Sequence, residues 1–177
     1  STEARRVLVG GYVQTGSNCV FKVKEYDVSD TTPIEISVAS SASFAAASPG
    51  DTAWAEAPDS RFVALYLQNA SSLTHNVVLY DIEAQQFGAV YSMNLTSSAT
   101  IRQIAWIDAQ HFVMDDVNAG RRGVRVYARA GLNVVDLGFF DVWGAGSASV
   151  LQPFYGAQFT NFAGGLLAYV NDVSSPS

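Results

Sequence analysis

Short apolar segments alternate with polar turns along the whole chain. The segments are rich in Val, Ile, Phe and Tyr, and the turns between them contain Gly, Ser, Asp, Asn and Pro. This pattern is typical of β-strands joined by tight turns, and no window of about 11 to 18 residues carries the apolar stripe of an amphipathic helix. The alanine-rich segment 40–51 has few large apolar residues and contains Pro49-Gly50, so it is predicted to be a loop with at most one helical turn.

The apolar segments recur in a fixed order. The first series has four members: "LVGGYVQT" (8–15), "FVALYLQN" (62–69), "FVMDDVNA" (112–119) and "GLLAYVND" (165–172). Its alignment gives spacings of 54, 50 and 53 residues between these positions: Tyr12, Tyr66, Asp116 and Tyr169. A second series, which follows the first, spaces its tyrosines 54 and 47 residues apart: Tyr26, Tyr80 and Tyr127.

A third series of apolar segments comes after the turn that follows each second-series strand. A fourth series contains Trp54 and Trp106, which are 52 residues apart. Because these two tryptophans recur at one position of the repeat, both are predicted to pack in a core. The repeating unit is therefore four short strands in about 50 residues, which is the period of a propeller blade. The prediction is a single all-β repeat domain, 1–177, with these units: a partial blade 5–39, blade 52–94, blade 101–140 and a partial blade 154–173.

The second-series strands end in Tyr26-Asp27, Tyr80-Asp81 and Tyr127-Ala128. Together with the four-strand period, these endings resemble the WD40-like β-propeller repeat class, without pointing to a specific subfamily. The resemblance implies a radial, propeller-like array of four-stranded antiparallel blades, about three and a half in this chain, and a binding platform. A β-sandwich or jelly roll is the alternative, since it also has short strands at close spacing, but a Greek-key sandwich does not repeat its unit.

Composition narrows the class of function. Charged residues make up 15% and apolar residues 49% of the chain, which excludes the disordered class. The net charge of −6 and the absence of a basic stripe argue against nucleic acid as a partner, and no apolar stretch reaches the roughly 18 residues of a membrane span. Cys19 is the only cysteine, so it forms no internal disulfide and is predicted to be a buried, inert thiol. No compartment is predicted.

The longer predicted loops share one face of the array, where binding residues concentrate. The candidates on this loop face are His75, Arg121, Arg122, Trp143, Phe154 and Tyr155. The three aromatic residues of 143–155 can anchor a protein partner or a sugar, or can be buried by their own loop. The two arginines can hold a carboxylate or phosphate, or form a solvated loop tip.

Catalytic and metal-binding patterns are weak. A glycoside hydrolase needs two carboxylates in one cleft, and the available acids are Asp51, Asp115, Asp116 and Asp141. The spacing of Asp116, Asn118 and Gly120 hints at a calcium loop but lacks further acidic ligands. No catalytic residue, metal or cofactor is therefore predicted.

The sequence favours a non-catalytic structural or protein-interaction module that is part of a larger assembly. The incomplete number of blades predicts protein partners, or further copies of the chain, that complete them. A carbohydrate- or ligand-binding module using residues 143–155 is the alternative, and a glycoside hydrolase is the less favoured one.

Overall fold

The structure, a computed structural model, describes residues 5–70, 74–94, 104–118, 121–141, 157–162 and 165–170. These residues form an all-β protein, as predicted. The strands are β1 (Arg6–Thr15), β2 (Asn18–Asp27), β3 (Ile34–Ser40), β4 (Phe44–Ala45), β5 (Pro49–Glu56), β6 (Phe62–Asn69), β7 (Thr74–Asp81), β8 (Gln86–Phe87), β9 (Tyr91–Asn94), β10 (Ile104–Trp106), β11 (His111–Asn118), β12 (Arg121–Ala130), β13 (Asn133–Asp141), β14 (Ala157–Phe162) and β15 (Gly165–Val170).

The strands form consecutive antiparallel sheets, and none of these closes into a barrel within the described residues. Sheet 1 has the order β1-β2-β3, with β4 also on β2; sheet 2 has the order β5-β6-β7-β8, with β9 also on β7. Sheet 3 has the order β10-β11-β12-β13, and hairpin 4 is β14-β15. The predicted order of strands is confirmed. Two details differ, because the segment predicted to be a loop at 40–51 contains β4 and the start of β5, and the last strand of sheet 2 is divided between β8 and β9.

Two-residue turns set the register of the longest hairpins. Thr15 pairs with Asn18 across a turn in which Gly16 has φ 61°, and Ala130 pairs with Asn133 across a turn in which Gly131 has φ 64°. Glycine adopts this left-handed backbone without the steric cost that other residues carry. These turns therefore fix which side chains of each hairpin share a face.

Sheet 2 is buried on both faces. Along β6, Phe62, Ala64 and Tyr66 belong to a core shared with sheet 3. The alternating residues Val63, Leu65 and Leu67 belong to a second core shared with sheet 1. Because successive side chains of a strand point to opposite faces, this alternation places sheet 2 between its two neighbours.

The recurring tyrosines occupy matching positions in the three sheets. Tyr26 pairs with Val7, Tyr80 pairs with Val63 and Tyr127 pairs with Phe112. In sheets 2 and 3 the pair lies on the face that packs against the preceding sheet. The second series is therefore a structural repeat, and it defines equivalent rows in the sheets.

The prediction that Trp54 and Trp106 share a core position is wrong for Trp54. Trp106 is 3% exposed and donates its indole N–H to the Ala55 carbonyl (2.9 Å), whereas Trp54 is 57% exposed. Trp106 belongs to the residue pair nearest the turn between β10 and β11. The corresponding pair in sheet 2, nearest the turn between β5 and β6, contains Glu56. Trp54 lies two residues before Glu56, so the recurrence of tryptophan in the sequence did not produce equal positions in the sheets.

Polar contacts and one close backbone approach complete the packing between sheets. The Gln85 amide of sheet 2 donates to the Glu25 carboxylate of sheet 1 (3.0 Å), and the Tyr91 hydroxyl of sheet 2 donates to Asp136 of sheet 3 (3.2 Å). Gly88 lies so close to Leu132 that a Cβ atom at Gly88 would overlap the Leu132 carbonyl. Adjacent sheets therefore have one fixed relative position.

Candidate interaction surface

The two faces of sheet 1 differ sharply. Its inner face buries Cys19, Phe21 and Val23 against sheet 2. Burial raises the pKa of the Cys19 thiol, so the prediction of a buried thiol is confirmed. The opposite face, which we call the outer face of sheet 1, has four valines that are each about half exposed: Val7 (43%), Val9 (52%), Val13 (43%) and Val38 (48%).

Equivalent residues of the neighbouring sheets are buried. Val7 lies opposite Tyr26, as Val63 lies opposite Tyr80 and Phe112 lies opposite Tyr127. Val63 is 3% exposed and Phe112 is 0% exposed, because a preceding sheet covers each of them. The outer face of sheet 1 thus has the residues of a packed sheet surface without a covering sheet among the described residues.

A polar group lies beside the valines of the outer face. Lys24 donates to Glu35 (2.7 Å), and the Tyr26 hydroxyl donates to the same carboxylate oxygen (3.3 Å). The hydrogen bond from Lys24 lowers the pKa of Glu35 and raises the pKa of Lys24. Because Lys24 pairs with both Val9 and Val38, the outer face combines apolar side chains with an ion pair in its middle.

The free edge of β1 lies beside an apolar pocket. Within the described residues, β1 pairs only with β2. The pocket has a volume of about 50 Å³ and is lined by residues of sheets 1 and 2, which include Gly10, Gly11 and Trp54. Typical small-molecule sites have about 300–1,000 Å³, so this pocket accommodates a side chain rather than a sugar.

A buried polar cluster joins sheets 1 and 2. Glu25 is 1% exposed and accepts hydrogen bonds from Arg6 (2.9 Å), Ser37 (3.2 Å) and Gln85 (3.0 Å). Burial, followed by the nearby Glu25 and Asp81 carboxylates, raises the pKa of Tyr80, whose hydroxyl has no hydrogen-bond partner among the described residues. Glu25 therefore links the two sheets through hydrogen bonds, and the raised pKa keeps the Tyr80 phenol protonated.

Asp81 ends a structural strand, as predicted from the Tyr80-Asp81 pattern. Its carboxylate accepts hydrogen bonds from the Arg61 guanidinium (3.2 Å) and the Ala84 N–H (2.9 Å). Burial alone would raise the pKa of Asp81, but these hydrogen bonds and the charge of Arg61 outweigh it, and the pKa is lowered. The ionised carboxylate therefore stabilises the turn after β7.

The structure relocates part of the predicted loop face. The loop position predicted for His75 is wrong, because His75 lies in β7, is fully buried and packs edge-on against Tyr66 (5.2 Å between ring centroids). Arg121 and Arg122 also lie in a strand, where they pair with Asn118 and Val117. The predicted binding residues Trp143, Phe154 and Tyr155 lie outside the described residues.

The acidic candidates are spread over two sheets. Asp51 lies in β5, whereas Asp115 and Asp116 lie in β11 and Asp141 ends β13. Within sheet 3, Asp116 pairs with Gly123, which in turn pairs with Asp141. Asp51 belongs to the neighbouring sheet, so the backbone register brings together only two of the four.

The remaining histidine forms a local contact. His111 Nδ1 lies 3.0 Å from Asp108, three residues earlier, at the exposed turn before β11. Among the described residues, no group of three or more His, Cys, Asp or Glu side chains is placed to bind a metal ion. The same part of the chain contains no helix of the length and apolarity needed to cross a membrane.

The outer face of sheet 1 was not among the predicted site residues. Its signal in the sequence is that Val7, Val9 and Val13 all lie at odd-numbered positions of one strand, and so on one face of it. In comparisons with known proteins, the chain matches no protein-family model, and no curated protein matches it in sequence.

Proposed function

We propose that the chain is a non-catalytic, propeller-like structural or interaction module that works within a larger assembly. In this proposal the successive sheets are blades, and further copies of the chain cover the outer face of sheet 1. The single observation that carries the proposal is the set of half-exposed valines on this face, of which Val7 and Val9 lie at positions that are buried in the other two sheets.

The exposed apolar area of the outer face provides the driving force for association. Burying a valine side chain contributes roughly 1.5–3 kcal/mol, and Val7, Val9, Val13 and Val38 are each about half exposed. They lie on one face of one sheet. Covering them with another sheet therefore provides a favourable free energy of association. The Lys24–Glu35 ion pair lies among these valines, because Lys24 pairs with both Val9 and Val38, so the covering surface has to accommodate it.

Measurement of the mass in solution tests this proposal. Light scattering on the full 177-residue chain over a range of concentrations is expected to give a mass that rises above the 18.9 kDa of one copy. The variant Val9→Lys places a charge in the centre of the face and is expected to restore the single-copy mass. Val124→Lys in sheet 3 is the control, since it lies away from sheet 1. A well-folded chain with the mass of one copy at every concentration would contradict the proposal.

A further inference from the structure

We propose that the free edge of β1 binds an extended strand of a separate polypeptide, which extends sheet 1 beyond β1 as an additional edge strand. This inference rests on the proposed interaction function and specifies a different partner and site from the outer face. It is carried by one comparison: the same edge is occupied in sheets 2 and 3, by β5 on β6 and by β10 on β11.

The edge of β1 presents main-chain groups in a regular row. The Val28 N–H donates to the Arg5 carbonyl (2.8 Å), which fixes the hydrogen-bonded rows of the β1–β2 pair. Because these rows alternate in antiparallel sheets, Leu8, Gly10 and Tyr12 direct their N–H and C=O groups away from β2. An incoming antiparallel strand can pair with these three residues, as in other cases of strand addition.

Trp54 marks where the missing strand lies. Trp54 pairs with Leu65, and its equivalent in sheet 3 is Ile104, which pairs with Met114. Ile104 is 8% exposed because it packs against β5, whereas Trp54 is 57% exposed. The difference arises because, among the described residues, sheet 1 has no strand at the position that β5 has in sheet 2. The pocket between Trp54 and Gly10 is therefore the vacant side of that strand.

The equivalent contact in sheets 2 and 3 specifies the chemistry of the incoming strand. In β5, small side chains face the core next to Ile104 and Trp106: Ala53 and Ala55. An incoming strand that packs against Trp54 in the same way needs small residues at the alternate positions that face Trp54. The positions between them point to the opposite face and can hold larger residues. A strand of about five residues matches the paired length of β5.

A labelled peptide tests the inference on the full chain. The peptide has the sequence of residues 51–57, with phenylalanine in place of its tryptophan, so that the protein alone supplies the tryptophan signal. We expect saturable binding by fluorescence anisotropy and a blue shift of tryptophan emission as Trp54 becomes covered. Trp54→Phe is expected to reduce the shift, because the other two tryptophans of the chain stay unchanged.

Main-chain pairing is tested from both partners. Gly10→Pro removes an N–H that points away from β2 and is expected to weaken binding at least about tenfold, whereas Gly10→Ala keeps the N–H and is expected to weaken binding less. If Gly10→Pro fails to fold, methylation of alternate main-chain nitrogens in the peptide gives the same test on the unchanged protein. Equal binding of the methylated and unmethylated peptides would overturn the inference.

The same variants separate this inference from the proposed function. Gly10→Pro is expected to keep the concentration-dependent mass that Val9→Lys abolishes. If Gly10→Pro instead gives a single-copy mass, then a second copy occupies the edge and the inference is wrong. If the peptide does not bind while the mass still depends on Val9, the inference also fails and the proposed function stands.

Discussion

Sheets 1 and 2 are built from the same pattern of strands but have different surroundings. Sheet 2 has a sheet on each side, so the residues of β6 are buried on both faces. Within the described part of the chain, sheet 1 has one neighbour, and its β1 is largely exposed. An alternating pattern of apolar residues therefore identifies a sheet face that can be buried. Whether that face is buried depends on a neighbouring sheet.

Substituting alanine for one glycine in each sheet is expected to give the largest difference in the free energy of unfolding. In Gly88→Ala the new methyl group would overlap the Leu132 carbonyl of sheet 3, and overpacking against a backbone group is expected to lower the free energy of unfolding by about 3 kcal/mol. Gly11→Ala in β1 is the matched control, because nothing lies within 4 Å of its Cβ position. Urea denaturation of dilute protein measures both, and similar losses would show that the sheets are equally packed.

Equivalent valines provide the next contrast. Val63→Ala removes methyl groups from the core between sheets 1 and 2 and is expected to cost about 2 kcal/mol. Val7→Ala changes the equivalent position of the outer face, where the side chain is 43% exposed, and is expected to cost less than about 0.5 kcal/mol in dilute protein. A cost for Val7→Ala equal to that for Val63→Ala would contradict the assignment of an uncovered face.

The two tryptophans are expected to respond differently to the same substitution. Trp106→Phe leaves the Ala55 carbonyl without its indole donor and is expected to lower the unfolding free energy by about 1.5 kcal/mol. Trp54→Phe alters an exposed side chain and is expected to change it by about 0.5 kcal/mol or less. Thermal denaturation monitored by circular dichroism distinguishes the two variants. A larger loss for Trp54→Phe would contradict the burial of Trp106 and the exposure of Trp54.

Substitution of Asp81 is expected to have the smallest effect on the free energy of unfolding, and this effect depends on pH. An aspartate in an unfolded chain has a pKa of about 3.9, and that of Asp81 in the folded protein is lower. Its stabilisation is therefore complete above the unfolded pKa and is lost as the pH falls through the folded pKa. Asp81→Asn is expected to cost about 1 kcal/mol at neutral pH.

Repeating the denaturation at decreasing pH measures how much of the lost unfolding free energy depends on the ionisation of Asp81. The difference between Asp81→Asn and the parent chain is expected to shrink below about pH 4. Asp30→Asn, at an exposed position before β3, is the control for a general charge effect. A difference that persists unchanged at low pH would show that the ionised carboxylate is not responsible.

The sequence predicted the strands well because each strand and turn is encoded locally. The Gly16 and Gly131 turns and the apolar alternation of β6 are visible in the residues themselves. The environments of His75 and Trp54 were not predictable in this way. They depend on where β7 begins and on whether a strand lies beside β1, and both are relations between distant segments.

The candidate surface was also hidden for a physical reason. Val7, Val9 and Val13 have the same pattern as the buried residues Val63 and Leu65, so a single sequence predicts a core for all of them. Only the arrangement of sheets distinguishes the covered positions from the uncovered ones.

The most direct test of the central claim is the mass of the full chain in solution, with and without a charge on the outer face of sheet 1. We predict a mass that rises with concentration for the parent chain and for Val124→Lys, and a constant 18.9 kDa for Val9→Lys. A constant single-copy mass for the folded parent chain, or equal association of Val9→Lys and the parent, would contradict the claim.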